Sequence, residues 1–308
     1  MKKSTRRDFL ACSGIGALGM MAGVPAYAGV SQHSSEKKEN AGTYQYSRKI
    51  PIHDDYDLVV AGGGPAGSAA AISAARLGAK VLLVEATGCL GGTGTASLVT
   101  LFSLVSSGKE MIVRGLMKEI IESMYHRKFL HPGINPNHWQ TSLHGIPFLV
   151  EGYKLILDEL ATSAGVHVKF YTRVIDVDAD AKKGQVTGMI LSNIEGQSYV
   201  KAKTFIDCTG DAYIADLSGV TCREAGKDTP TIMPPTLCSL VTGFDVSKLR
   251  GIEQQNFVYK GFEDGTLSQK DRHLPGLFPI NNAIGFLNAG HVFNVNALRC
   301  NELTDGTM

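Results

Sequence analysis

The stretch that decides the fold is Asp57-Leu58-Val59-Val60-Ala61-Gly62-Gly63-Gly64-Pro65-Ala66-Gly67, a short apolar run followed at once by glycines. An apolar run of this length predicts a buried parallel strand, and the alanine-rich segment 66–77 predicts a helix. A second apolar run, 80–85, ends at Glu85. The order strand, glycine turn, helix, strand predicts a Rossmann-like βαβ unit over residues 56–85.

The glycine turn has the spacing G-x-G-x-x-G at Gly62, Gly64 and Gly67, with Pro65 and Ala66 inside it. Glycines permit the tight turn and let the backbone approach a pyrophosphate, which then faces the amino terminus of the helix. Glu85 ends the second strand, where a carboxylate accepts hydrogen bonds from ribose hydroxyls and repels a 2′-phosphate. The unit therefore predicts FAD or NAD rather than NADP, and by itself leaves the choice between the first two open.

Residues 56–99 resemble the FAD-dependent oxidoreductases of the glutathione-reductase-like superfamily. The likeness rests on the fingerprint and on the stretch after Glu85, which reads Gly88-Cys89-Leu90-Gly91-Gly92-Thr93-Gly94-Thr95. In that superfamily a Gly-Gly stretch passes close to the phosphates and ribityl arm of the flavin. The resemblance implies that the cofactor is FAD and that Gly91, Gly92 and Thr93 contact it.

A second matching element is Thr204-Phe205-Ile206-Asp207-Cys208-Thr209-Gly210-Asp211. It resembles the strand and turn that bring the chain back to the dinucleotide, which implies cofactor contacts at Thr209, Gly210 and Asp211. The strand that begins near Arg173 would meet the adenine through the backbone of Val174. The likeness spans residues 56–305, and the family's last glycine-rich segment, which completes the FAD domain, is expected to be missing.

Fold and domain organisation follow from these elements. We expect an α/β fold: a Rossmann-like FAD-binding domain at 51–220, with a parallel sheet, helices and an antiparallel β-meander, and a second, mainly β substrate or cap layer at 221–308, incomplete at its end. Apolar periodicity predicts helices over 110–128 and 151–164. Alternation over 173–203 predicts the meander, and 204–208 a further buried strand.

The first residues predict export. Ser4-Thr5-Arg6-Arg7-Asp8-Phe9-Leu10 precedes an apolar run and Ala26-Tyr27-Ala28, the pattern of a cleavable twin-arginine signal peptide at 1–28. The polar segment 29–50 is typical of a flexible linker. The chain is therefore expected to be periplasmic, with the twin-arginine export machinery as a partner.

Composition and single residues limit the chemistry. The 44% hydrophobic and 19% charged residues with a net charge of +1 are those of a globular protein, and predict no nucleic-acid partner. The cysteines are scattered, so we expect no structural disulfide, metal or haem site. His138, His144 and His291 are possible proton-transfer groups, but no spacing assigns a catalytic residue.

The sequence therefore predicts an exported FAD-dependent oxidoreductase that transfers a hydride between a small organic substrate and the flavin. The electron donor or acceptor is not assigned, because the chain has one fingerprint and Cys89 has no cysteine five residues on. Two alternatives stay open. One is an NAD-dependent oxidoreductase, and the other is an inactive, truncated flavoprotein remnant.

Overall fold

The predicted βαβ unit forms the centre of a six-stranded sheet in the computed structural model. Strand β1 (Ile52–Ala61) leads through the glycine turn into helix α1 (Pro65–Arg76) and then into strand β2 (Val81–Val84). The strand order is β5-β2-β1-β8-β7-β6, and β5, β2, β1 and β8 run parallel. Strand β5 comprises His167–Lys169. The prediction of an α/β fold with a Rossmann-like sheet is confirmed.

The structure describes residues 42–180, 182–243, 245, 254–267, 271, 274 and 276–307. The predicted signal peptide at 1–28 and the linker up to residue 41 lie outside the described residues. Residues 42–48 are exposed and form neither helix nor strand, and a separate unit begins at Lys49. In the described part of the chain, no helix has the length and apolarity of a membrane span.

Strand β1 is buried on both faces, as its continuous apolar run predicts. Leu58 and Val60 point to one face and pack with α1 and the long helix α4 (Val150–Ala164). Val59 and Ala61 point to the other face and pack with apolar side chains of the meander. Successive side chains of a strand alternate between faces, so a single run of apolar residues supplies two cores.

The meander consists of β6 (Arg173–Asp180), β7 (Gln185–Asn193) and β8 (Gly196–Asp207). The two strands predicted around residues 200 and 204–208 are one strand, β8, which was wrongly divided. Its first residues, up to Val200, pair antiparallel with β7, and residues from Tyr199 to Asp207 pair parallel with β1. Because one strand serves both pairings, the meander and the parallel strands form a single sheet.

Two local predictions between β2 and α4 are wrong. The helix predicted over 110–128 is α2 (Leu116–His126), because Gly115, with φ 65°, precedes it in a conformation that no helix contains. No helix was predicted between residues 128 and 151, but residues Pro136–Gln140 form the short helix α3, which begins at a capping box made by Asn135 and His138. The ribbon of β3 (Leu101–Phe102) and β4 (Ile146–Pro147) pairs beside them.

The second layer contains a three-stranded antiparallel sheet in the order β10-β11-β9. Its strands are β9 (Thr236–Thr242), β10 (Leu277–Pro279) and β11 (Ile284–His291). The described helices after β8 are α5 (Tyr213–Leu217), α6 (Gln254–Glu263) and α7 (Cys300–Thr307). The domain boundary predicted near residue 220 stays a prediction.

Candidate functional site: a dinucleotide cleft at the carboxyl ends of the parallel strands

A cleft of about 1220 Å³ opens where β1, β2 and β8 end. This volume exceeds the roughly 300–1,000 Å³ of ordinary small-molecule sites, as a dinucleotide requires. Carboxyl ends of parallel strands are the usual ligand-binding edge of such sheets. The cleft is lined by eleven of the thirteen predicted cofactor-binding residues, namely Gly62, Gly64, Pro65, Ala66, Glu85, Gly92, Thr93, Val174, Thr209, Gly210 and Asp211.

The other two predicted residues, Gly67 and Gly91, do not line the cleft. A Cβ on Gly67 would lie 1.7 Å from the carbonyl oxygen of Gly62, so its glycine permits the close approach of α1 to the turn. The N–H of Gly91 donates to the carbonyl of Gly63 over 2.9 Å. Both glycines thus position the turn from behind, and any direct contact with the cofactor stays a prediction.

The amino terminus of α1 faces the cleft without a side-chain cap. Gly64 is the N-cap residue, Pro65 occupies the first turn, and no side chain bonds the free N–H groups. The first turn contains no acidic residue. Uncapped N–H groups and the positive end of the helix dipole together form a site for an anion such as a pyrophosphate.

Glu85 has a second contact that its predicted role did not include. Its side chain is buried, and Oε2 accepts a hydrogen bond of 2.7 Å from the N–H of Gly63. Oε1 accepts from the N–H and the hydroxyl of Thr87, at 2.6 and 2.7 Å. A carboxylate offers about four acceptor positions, so Glu85 fixes the glycine turn and can also accept from a ribose in the cleft.

The second glycine stretch lies directly against the first. Gly92 has φ 48°, and a Cβ there would lie 2.9 Å from Cα of Gly64. On the far side, a Cβ on Gly94 would lie 2.9 Å from the ring of Tyr153 in α4. Burial raises the pKa of Tyr153 to about 12, so the phenol stays neutral and acts as an apolar support. Two loops distant in sequence are thereby held backbone to backbone at the cleft.

Asp207, which the sequence did not single out, organises the Thr-Gly-Asp turn. Its Oδ1 accepts from the N–H and hydroxyl of Thr209, and its Oδ2 from the N–H of Ala215 in α5, at 2.9 Å. Burial opposes ionisation, but these hydrogen bonds outweigh it and lower the pKa of Asp207 below its usual value. The signal was present in the spacing Asp-x-Thr before a helix, a local capping pattern.

Two further segments line the cleft that sequence reasoning did not place there. They are residues 222–224 and residues 296–299, which follow β11. At the opposite rim, the pairing of β6 with β7 is irregular between Val174 and Asp176. Such bulges are frequent beside functional sites, because they terminate or redirect strand pairing.

The candidate proton-transfer histidines lie apart from these lining residues. His138 closes the capping box of α3, and His144 is exposed. His291 is buried and its Nδ1 lies 2.5 Å from a carboxylate oxygen of Asp271. None of the three is among the residues lining the cleft. Among the described residues there is no cluster of three metal-ligating side chains, and the described cysteines are free thiols.

Comparison with known families decides between FAD and NAD. The family model described as FAD dependent oxidoreductase matches residues 57–298, which include every predicted site residue. The chain belongs to the FAD-dependent oxidoreductase family. The prediction of this family, with FAD as its cofactor, is thereby confirmed.

Individual proteins are similar to parts of the chain. A dihydrolipoyl dehydrogenase of Trypanosoma brucei brucei is 56% identical over 48 residues, 16% of this chain and 10% of that protein. A vinyl phenol reductase of Lactiplantibacillus plantarum is 36% identical over 98 residues, 28% of this chain and 20% of that protein. A geranylgeranyl bacteriochlorophyll reductase-like structure from Thermoplasma acidophilum is 17% identical, with a TM-score of 0.49, covering 77% of this chain and 56% of that one.

The residues of the cleft fit FAD. The chain spans only about a tenth of the length of the matched dihydrolipoyl dehydrogenases. Whether FAD fits the cleft is therefore judged from the geometry of the cleft. A Cβ on Gly64 would meet nothing closer than Cα of Gly92 at 4.0 Å, which leaves the backbone open towards the cleft. Together with the uncapped α1 terminus and the acceptor at Glu85, this is the donor and acceptor set that a pyrophosphate and ribose require.

Proposed function

We propose that this chain is an exported FAD-dependent oxidoreductase that transfers a hydride between a small organic substrate and bound FAD. The observation that carries the proposal is the cleft, in which an uncapped helix terminus, two apposed glycine loops and a buried acid converge. Bound FAD supplies the acceptance or release of the hydride. The residues of the chain bind and orient it.

Each part of the cleft has a role in this proposal. The N–H groups at the start of α1 hold the pyrophosphate, and Glu85 holds the adenosine ribose. The backbone of Val174 meets the adenine. The turn at Thr209, Gly210 and Asp211, fixed by Asp207, lies against the dinucleotide from the side of β8.

The second layer is proposed to select the substrate. Residues 222–224 and 296–299 come from beyond the meander and line the same cleft as the glycine loops. Segments that reach a cofactor cleft from a separate layer can cover a flavin and exclude water around the reacting carbon. His291 is held in one orientation by the carboxylate of Asp271, but it does not line the cleft, so no proton-transfer role is proposed for it.

The electron partner is proposed to be a small molecule or carrier rather than a thiol of this chain. Cys89 lies near Thr95 and Lys154, and no described cysteine pairs with it. The matched vinyl phenol reductase supports including conjugated alkenes among the substrates to be tried. Export rests on the twin-arginine leader, which makes the periplasm the proposed location and the export machinery a partner.

Hydride transfer is tested by replacing the cofactor with 5-deaza-FAD, which exchanges hydrides but is a poor single-electron carrier. The chain is loaded, reduced chemically and mixed anaerobically with conjugated alkenes, ketones, imines and quinones. We expect at least one acceptor to reoxidise both the FAD and the 5-deaza-FAD forms. Reoxidation of the FAD form alone would contradict hydride transfer.

Fusion of residues 1–32 to a reporter, with and without Arg6→Lys and Arg7→Lys, tests export.

The remnant alternative makes a different prediction. An intact cofactor domain should resist limited proteolysis beyond the linker at 29–50 once FAD is present. Digestion throughout the chain, with and without FAD, would favour a remnant. Protection from proteolysis by NAD but not by FAD would favour the NAD-dependent alternative. The family match argues against that alternative.

A further inference from the structure

Tyr171 occupies a strained turn beside the cleft: it is not itself one of the lining residues, but the next two residues, Thr172 and Arg173, are. Its φ of 50° lies in the left-handed region, which bulky side chains rarely adopt. Its N–H donates to the carbonyl of Thr87 over 3.1 Å, and the N–H of Thr172 donates to the carbonyl of Glu85 over 2.9 Å. These two bonds extend the β2–β5 pairing and hold Tyr171 in its conformation.

The ring of Tyr171 lies on Gly88 but remains open to solvent. A Cβ on Gly88 would lie 2.1 Å from the phenolic oxygen, so the ring covers the backbone of that glycine. Nevertheless the residue is 73% exposed. Packing on Gly88 therefore uses only a small part of the aromatic surface. Strained residues that the surrounding structure holds in place are concentrated at ligand-binding positions.

The position of Tyr171 identifies the part of a ligand that it would meet. Thr87, Thr172 and Arg173, which flank it in space or in sequence, all line the cleft. The backbone carbonyl of Glu85, the acid at the ribose position, accepts the hydrogen bond from Thr172 in the same turn. This rim is therefore the adenosine end of the cleft, remote from the chemistry at the flavin ring.

We propose that the ring of Tyr171 stacks on the adenine of the bound dinucleotide and closes the adenosine end of the cleft. The inference rests on the proposed FAD site and adds a binding residue that no motif assigns. Aromatic rings stack on the face of any base, so the contact needs no hydrogen bond. A glycine would relieve the backbone strain here, so Tyr171→Gly removes the ring without adding strain.

The test uses ADP, which carries the adenosine half alone, and the cofactor-free full chain. Tyr171→Gly removes the backbone strain, so the variant should not unfold at a lower temperature than the wild type in the absence of ligand. Its dissociation constant for ADP should rise about 10-fold, because the stacking ring is lost. Tyr171→Phe keeps the ring and should bind ADP as the wild type does. Phe257→Ala removes an aromatic residue that is 71% exposed and has no cleft-lining residue next to it in sequence, and serves as the matched control.

A fluorescent ethenoadenine analogue of ADP gives a second signal, because stacking on an aromatic ring quenches its emission. Quenching at saturation in the wild type and in Tyr171→Phe, and its loss in Tyr171→Gly, is the expected result. Equal ADP affinity and equal quenching in wild type and Tyr171→Gly would overturn the role of Tyr171 while leaving the FAD site intact. Failure of the wild type to bind either ADP or FAD would overturn the site itself and this inference with it.

Discussion

Two glycines of the fingerprint, three residues apart, have opposite surroundings, and single atoms show the difference. A Cβ on Gly67 would meet the Gly62 carbonyl at 1.7 Å, whereas a Cβ on Gly64 would project into open space beside the cleft. Gly67 is therefore required by the fold. Gly64 is required only by a ligand that approaches the backbone.

Gly67→Ala is expected to lower the free energy of unfolding by at least about 1–3 kcal/mol, the usual cost of overpacking, because α1 must move away from the turn. Urea unfolding of the cofactor-free chain measures the change. Gly42→Ala, at a position with nothing within 4 Å, is the control. Unchanged stability of Gly67→Ala would show that the helix and turn are not packed as described.

Gly64→Ala is expected to keep the unfolding free energy within about 1 kcal/mol of the wild type, because the space beside the Cβ is open and alanine is only a poorer helix N-cap than glycine. Its dissociation constant for FAD should rise about 10-fold, which corresponds to about 1.4 kcal/mol, because the methyl group occupies the space of the pyrophosphate. Fluorescence titration with FAD measures this. Wild-type affinity would mean that no ligand approaches the backbone of Gly64.

Glu85→Gln tests the two contacts of the acid. The amide offers one acceptor oxygen where the structure needs acceptors towards both Gly63 and Thr87. The lost charge-assisted hydrogen bonds predict a loss of about 1.5–3 kcal/mol, divided between stability and FAD affinity. Urea unfolding measures the part of this loss that falls on stability, and FAD titration measures the part that falls on affinity. Glu195→Gln, at an exposed turn, is the control. Equality with the wild type in both would contradict the assigned contacts.

At the scale of single residues, spacing predicted the glycine turn and the acid after β2, because each lies at a fixed distance from a strand end, whereas the Thr-Gly-Asp turn was implied by the family resemblance. Spacing did not predict the bond from Gly63 to Glu85 or the support of Gly94 by Tyr153. Both contacts depend on how segments 22 and 59 residues apart in the sequence pack together. No periodicity in the sequence reports such a meeting.

Elements were predicted well where periodicity is uninterrupted and poorly where one residue changes the backbone. Helix α4 begins and ends within one residue of its prediction, since its apolar face is continuous to Gly165. Helix α2 is shorter than predicted because Gly115 takes a positive φ, although Met111 before it is buried as a helix face would require. Met111 therefore fits the apolar spacing of a helix although it lies outside the helix.

The junction of β8 and α5 depends on one carboxylate, which gives a pH-dependent prediction. Asp207→Asn removes the acceptor at Oδ2 and should lower the free energy of unfolding at pH 7 by about 1–2 kcal/mol. The folded-state pKa of Asp207 is lowered, so its stabilisation is present above the unfolded pKa of about 3.9 and is lost as the pH falls through the lower folded value.

Urea unfolding of wild type and Asp207→Asn from pH 7 down to pH 3 measures this dependence. The difference between the two should be constant above about pH 5 and narrow below about pH 4. Asp54→Asn, an exposed position in β1, is the control. A difference that widens towards low pH would contradict the assigned hydrogen bonds.

For the whole molecule, the decisive feature is that one sheet brings all the cofactor elements to one edge. β1 and β2 contribute the two ends of the fingerprint, β8 contributes the return turn, and β6 contributes the adenine rim. For β1 and β2 this convergence was predictable from the sequence, because carboxyl ends of parallel strands meet. For β8 and for the amino end of β6 it was implied by the family resemblance. The approach of residues 222–224 and 296–299 was not predictable, since irregular segments have no period that places them.

The measurement that tests the account most directly is the visible absorption spectrum of the chain from Gly29, reconstituted with FAD and freed of unbound ligand, beside Gly64→Ala. The account predicts flavin bands with an equimolar amount of FAD, released intact on denaturation, and a weakened complex in the variant. A cooperatively folded chain that retains no flavin, or that binds it equally in both forms, would contradict the assignment of this cleft as the FAD site.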